Sequence, residues 1–170
     1  IPGKINKSIN FNGNQTSIPH SESVSIGTNG NYSISFWINP SYIRDENNNE
    51  HFIANKRHGQ QQFQVFIDRL NRLQFFIYST TNQSLGVICN KKVPLNRWSH
   101  ITITVSNKIN DRFITIYFNG ILVNKQPYYF TPNTATSKIT FGGKENNAIN
   151  RNFIGALDDF RINGGRVINS

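Results

Sequence analysis

Apolar residues recur at every second position along most of this chain, and no long stretch carries the 3.6-residue period of an amphipathic helix. Ser33–Ile38 alternates and stops at Asn39-Pro40. Gln62–Asp68 and Arg72–Tyr78 alternate on either side of a short Arg-Leu-Asn turn. Ile101–Val105 is the cleanest run. Phe113–Phe118 closes at Asn119-Gly120, and Ile121–Val123 resumes at once. An Asn-Gly pair supplies the two positive-φ residues that a tight hairpin needs. Lys138–Phe141 and Phe153–Ile162 complete the set. Short strands divided by polar turns predict an all-β, two-sheet antiparallel sandwich. Arg44–Glu50, Asn133–Ser137 and Glu145–Asn152 read as exposed loops. Ile1–Lys7 reads as a tail, and Gly164–Ser170 as a fraying terminus or the start of a linker.

Alternation also assigns faces, because successive side chains of a strand point to opposite sides. Ile34, Phe36, Ile38, Phe63, Val65, Ile67, Leu73, Phe75 and Ile77 form a plain apolar set. The opposite set is mixed: Trp37, Phe66, Asp68, Phe76, Tyr78 and Tyr117 stand among Ser, Thr and Gln. A curved sheet with such a face suits a sugar. Pyranose rings lay their C–H faces on aromatic rings, while amides and carboxylates take the hydroxyls. The competing reading is a second hydrophobic layer under the loops 42–51 or 128–136. Tyr128-Tyr129-Phe130 cannot all face inward, so Tyr128 and Tyr129 are a second candidate contact.

At 170 residues the chain is the size of one domain, 1–170. It begins at Ile1 and contains no Met, so it is expected to be a piece of a longer, multidomain chain. The net charge of +9 favours anionic partners, among them sulfated or sialylated glycans. The charges are scattered, in short clusters such as Lys56-Arg57-His58 and Lys91-Lys92. With no arginine-rich run and no helix to enter a groove, no specific nucleic-acid binding is expected. The 26 asparagines fit either a biased codon supply or adhesive surface chemistry. Cys89 is alone, has no partner for an intrachain disulfide, and reads as a small buried hydrophobe. No stretch reaches membrane-spanning length, and the histidines show no metal-ligand spacing.

Four segments then line up in order. They are Ile9-Asn10-Phe11-Asn12-Gly13 and Tyr32–Pro40; Asn96-Arg97-Trp98-Ser99-His100 with Ile114–Gly120; and Ile139–Gly143 with Phe153–Ile162. This series resembles the laminin-G-like domains of the concanavalin A-like jelly rolls. Asn96-Arg97-Trp98 and Asn119–Pro127 look, more faintly, like the lectin-like subdomain of clostridial neurotoxin receptor-binding regions. The resemblance implies a two-sheet antiparallel jelly-roll β-sandwich, a core position for Trp98, and a carbohydrate or protein ligand. It also implies that the aspartate in Asp158-Asp159 holds a structural calcium or accepts hydrogen bonds from the opening loop. Asp158 and Asn12 are the candidate calcium ligands. Asn12 stands where the family has an acid, which leaves the metal short of charged oxygens.

Jelly-roll glucanases of this likeness place acids at i, i+2 and i+4 on one strand. No strand here carries such a set: Asp68 is alone, and Asp158 and Asp159, being adjacent, face opposite ways unless a bulge intervenes. No enzyme activity is expected. The reading is a non-catalytic carbohydrate-binding or adhesion module of a secreted, surface or virion-borne protein. The alternative is a protein-interaction or spacer domain with no small ligand.

Overall fold

The computed structural model describes residues 3–21, 24, 30–42, 50–57, 61–108, 110–144 and 151–164. The predicted loop segments 44–49 and 145–150, and the terminal residues 1–2 and 165–170, lie outside them. Among the described residues no α-helix occurs, and the extended elements are all strands. These are β1 Ile9–Asn12, β2 Thr16–Ile18, β3 Tyr32–Tyr42, β4 His51–Lys56, β5 Phe63–Ile67 and β6 Arg72–Tyr78. They continue with β7 Ser84–Lys92, β8 Ser99–Lys108, β9 Asp111–Phe118, β10 Ile121–Pro127, β11 Ile139–Phe141 and β12 Ile154–Gly164. Sheet one has the order β1-β12-β3-β8-β9-β10, and sheet two the order β2-β11-β4-β5-β6-β7. The chain crosses repeatedly between them. This is the predicted two-sheet antiparallel jelly-roll sandwich.

The apolar set fills the space between the sheets. Ile34, Phe36 and Ile38 of β3, with Ile101, Ile103 and Val105 of β8, meet Phe63, Val65, Ile67, Leu73, Phe75 and Ile77 of β5 and β6. All are fully buried, and each contributes about 1.5–3 kcal/mol of transfer free energy. Cys89 is buried with them. Trp98 departs from expectation: it is half-buried just ahead of β8, outside this core. At one end Lys56 is buried, its Nζ donating to the Val24 carbonyl at 2.8 Å and lying 3.2 Å from His20 Nδ1. Burial pushes this ammonium below the usual lysine range.

Turn chemistry follows the asparagines. Among the described residues, seven non-glycine residues have positive φ, and six are Asn: Asn6, Asn71, Asn82, Asn96, Asn110 and Asn119. Asn tolerates the left-handed region better than most side chains. Asn119 (φ 50°) and Gly120 (φ 77°) make the predicted β9–β10 reversal. The seventh is Asp159, at the slip in register between Asp158 and Arg161 opposite β3. That bulge turns Phe160 inward to stack on Phe36 at 5.5 Å.

Two asparagines also close one flank of the sandwich. Asn90 Nδ2 of β7 donates to the Val123 carbonyl at 3.1 Å, and Asn124 Nδ2 of β10 donates to the Ile88 carbonyl at 2.7 Å. The two edge strands thus cap each other's carbonyls. The described residues nearest each end of the chain are held by hydrogen bonds or strand pairing. Residues ahead of β1 are tied down through Ile5, whose amide donates to Asp158 Oδ2 at 2.7 Å. Gly164 is paired with Tyr32 at the end of β12.

Candidate functional site

On the outer face of sheet two, Phe52, Phe66, Phe76 and Tyr78 come from the adjacent strands β4, β5 and β6. Phe66 lies opposite Phe52, and Gln64 opposite Phe76. Consecutive ring centroids are 5.4, 5.5 and 6.4 Å apart, the last two pairs stacked. Spacings of this size fall in the favourable range for aromatic pairs. Lys144 Nζ sits 4.9 Å over Phe52 at one end of the ladder. The Phe76 ring lies flat on Gly86 of β7, where any Cβ would collide with it. Phe52 and Phe66 are buried; Phe76 and Tyr78 are half-exposed. Tyr78 donates its hydroxyl to Gln64 Oε1 at 2.8 Å. Gln64 Nε2 is buried and has no hydrogen-bond partner among the described residues.

The ladder ends at a cleft of about 390 Å³ where β6 turns into β7. Tyr78 forms part of its wall with Gln61, Asn82, Gln83, Asn133 and the hydroxyl residues Ser79, Thr80 and Ser84. The lining is built, not loose. Asn133 N donates to the Tyr78 carbonyl at 2.7 Å, and Asn133 Nδ2 to the Gln61 carbonyl at 3.2 Å. Gln62 Nε2 donates to the Asn133 carbonyl at 3.0 Å. In the turn, Ser79 Oγ accepts the amides of Thr81 and Gln83 at 3.1 and 2.9 Å, with Asn82 left-handed between them. Every side chain lining the cleft is uncharged at neutral pH. Burial pushes the Tyr78 phenol up, Arg57 opposes this, and Glu50 adds to it.

The structure divides the predicted aromatic face. Phe66, Phe76 and Tyr78 share sheet two, but Trp37 and Tyr117 stand on the outer face of sheet one, on the other side of the core. The single cleft predicted from all of them does not form. Parity sorts side chains within a strand and says nothing about which sheet the strand joins. Trp37 is half-buried against His100 at 4.9 Å, with Lys4 Nζ 5.1 Å over its ring. Burial pushes the His100 imidazole down, Asp159 pulls it up and Arg161 pushes it further down. Tyr117 is half-exposed and lies opposite Thr102.

Asp68 is also placed differently. Its carboxylate accepts Arg72 Nε and Nη2 at 2.9 and 2.8 Å, Gln74 Nε2 at 2.8 Å, and the amides of Leu70 and Arg72, both at 2.9 Å. It caps the β5–β6 turn rather than facing a ligand. Burial alone raises its pKa, but these hydrogen bonds outweigh that and hold it below the usual carboxylate range. Tyr128 belongs to the core: it is buried, and its hydroxyl donates to the Ser106 carbonyl at 2.9 Å. Burial pushes its phenol up to about 12 against Arg112 nearby. Tyr129 is 88% exposed.

Asp158 and Asn12 are not brought together. Asp158 accepts the Ile5 amide, whereas Asn12 lies opposite Ile154, four residues and roughly 13 Å further along β12. The donor set for calcium does not assemble at this pair, and no cluster of three His, Cys, Asp or Glu exists among the described residues. Sequence reasoning missed Gln61, Asn82, Gln83, Asn133 and Phe52. The polar run Ser79–Ser84 between two strands was the one available signal.

The sequence profile described as the concanavalin A-like lectin/glucanases superfamily matches residues 12–167. No curated protein sequence matches the chain. Among solved structures, the binding domain of Paraclostridial Mosquitocidal Protein 1 is 23% identical at a TM-score of 0.82, over 99% of this chain and 42% of that one. The botulinum neurotoxin serotype D binding domain is 22% identical at 0.71, over 95% of this chain and 39% of that one. Domain 4 of AbnA, a GH43 extracellular arabinanase from Geobacillus stearothermophilus solved in complex with arabinotriose, is 19% identical at 0.67, over 97% and 74%. This chain thus spans less than half the length of the two toxin structures. At such identities the likeness shows the fold.

Proposed function

The chain belongs to the concanavalin A-like lectin/glucanases superfamily, and on that premise we propose that it is a non-catalytic module that binds carbohydrate at the Tyr78 cleft of sheet two. The observation that carries this reading is one half-exposed aromatic ring walled in by uncharged amides and hydroxyls on a hydrogen-bonded frame. Ring and amides divide the work as a sugar requires, one taking C–H faces and the others hydroxyls. The domain of the Geobacillus arabinanase, solved with arabinotriose, is a precedent for a sugar on this fold. Four of the carboxylates support the non-catalytic part of this reading. Asp68 caps a turn, Asp158 holds the Ile5 amide, Asp159 pairs with Arg161 at 2.7 Å and Glu50 with Arg151 at 3.3 Å. None of these four is available as half of the acid pair that glycoside hydrolysis needs. Among the described residues no helix is long and apolar enough to cross a membrane. The module belongs on a secreted or surface-borne protein, where glycans are met.

A glycan array followed by titration calorimetry tests this. Tyr78→Ala is expected to weaken the selected glycan by about tenfold or more, the loss of ~1.4 kcal/mol from an aromatic contact. Trp37→Ala is expected to leave affinity within about twofold, since that ring is on the opposite sheet. Silence across the array favours the alternative, a protein-docking or spacer domain. That alternative draws on Ile121 and Leu122, both more than half exposed on β10.

A further inference from the structure

We infer a second ligand site, for an acidic saccharide, in the cleft of about 440 Å³ lined by Asn110, Arg112, Phe113, Pro127, Tyr128 and Tyr129. It forms where β9 begins and β10 ends, on sheet one, and it is separate from the Tyr78 cleft. Its volume suits one or two sugar rings.

Three features select the ligand. Tyr129 is 88% exposed, the most exposed large hydrophobic side chain among the described residues. With Phe113 and Pro127 it offers flat apolar surface that water hydrates poorly and a pyranose C–H face covers well. Arg112 is positioned. Its Nη1 donates to the Phe130 carbonyl at 3.1 Å, and its Nε is buried. That bond, together with the burial of Nε, orients the guanidinium. A planar fork held in this way suits a carboxylate or sulfate better than a neutral hydroxyl. Lys125, outside the lining itself, adds a cation nearby, its Nζ 4.1 Å over the Phe113 ring. By strand alternation Asp111 shares the face of Phe113, opposite that of Arg112, and it is not among the residues lining the cleft. An oriented arginine beside exposed aromatic surface favours an acidic sugar over a neutral one.

The test uses the intact chain with three probes: sialyllactose, lactose, and a sulfated disaccharide. Amide shifts are followed by NMR and affinities by calorimetry. Sialyllactose or the sulfated disaccharide is expected to shift Asn110–Phe113 and Tyr128–Phe130, and lactose is not; the two acidic probes tell a carboxylate from a sulfate ligand. Tyr129→Ala is expected to weaken binding at least about tenfold without moving Tm, because the ring is exposed. Arg112→Gln should abolish the preference for the charged sugar. Should that variant unfold, Lys125→Gln gives a second reading, as a smaller loss of affinity and a shallower salt dependence. The inference is overturned if neither acidic sugar binds, if lactose binds equally well, or if shifts gather at Ser79–Ser84 instead. It is likewise overturned if Tyr129→Ala binds undiminished or if an acidic peptide binds here while the sugars do not.

Discussion

The two outer faces of the sandwich began from the same sequence pattern and ended differently. On sheet one, Trp37 and Tyr117 are separated by a bed of Ser35, Thr102, Thr104 and Thr115, all buried between bulkier neighbours. Trp37 is already packed by His100 and Lys4. On sheet two, Phe52, Phe66, Phe76 and Tyr78 sit on three adjacent strands and form an unbroken series of ring contacts. The difference lies in the cross-strand neighbour. Phe66 faces Phe52, whereas Trp37 faces His100 and Tyr117 faces Thr102. An aromatic on an outer face becomes part of a surface only when the next strand offers another ring at the same register.

Breaking the ladder at its buried centre should give the largest effect. Phe66→Ala is expected to cost about 3–5 kcal/mol, while Tyr117→Ala on the other face costs about 1 kcal/mol or less, both read from urea midpoints. Equal costs would erase the distinction between the faces. Gly86→Ala comes next. Its methyl group drives into the Phe76 ring, at an expected cost of about 1–3 kcal/mol and with loss of ligand at the neighbouring cleft. If stability and affinity both survive, Phe76 does not support Tyr78. Asp68→Asn is the mildest, at about 1–2 kcal/mol near neutral pH. Because the folded pKa of Asp68 is depressed, its stabilisation is present above the unfolded value of about 4 and fades as pH falls through the folded value. The gap between parent and variant, measured by melting at stepped pH, should therefore close below about pH 4. A gap that persists into acid would assign the effect to shape rather than charge.

The strands that sequence revealed have one face on the core and one outside it, so β3, β6 and β8 alternate visibly. β4 did not alternate because Phe52, Ile53 and Ala54 are consecutive apolar residues at a slip in register opposite β5. In β7, Gly86 and Asn90 interrupt the apolar run for reasons that lie in other strands, a ring above one and the Val123 carbonyl beside the other. Tyr78 was legible as an outward ring. Asn133 and Gln61 were not, since a 71-residue separation between Gln62 and Asn133 is closed only by the fold. Asp68 misled because a carboxylate beside a turn looks the same in sequence whether it meets a sugar or an arginine four residues on.

Reliance on asparagine at the reversals has a chemical sequel. Asparagine followed by glycine is prone to lose its amide nitrogen through attack by the next backbone nitrogen, leaving an acid or a lengthened main chain. Asn119-Gly120 is such a pair, but its Oδ1 is held by the His100 amide at 2.7 Å, which keeps the side-chain carbon away from that attack. Asn12-Gly13 is exposed, with Asn12 Oδ1 held only by a side-chain contact from Asn10 at 3.2 Å. Of these two pairs, the one at the edge strand β1 is the more open to covalent ageing, while the β9–β10 reversal is shielded by the hydrogen bond that shapes it.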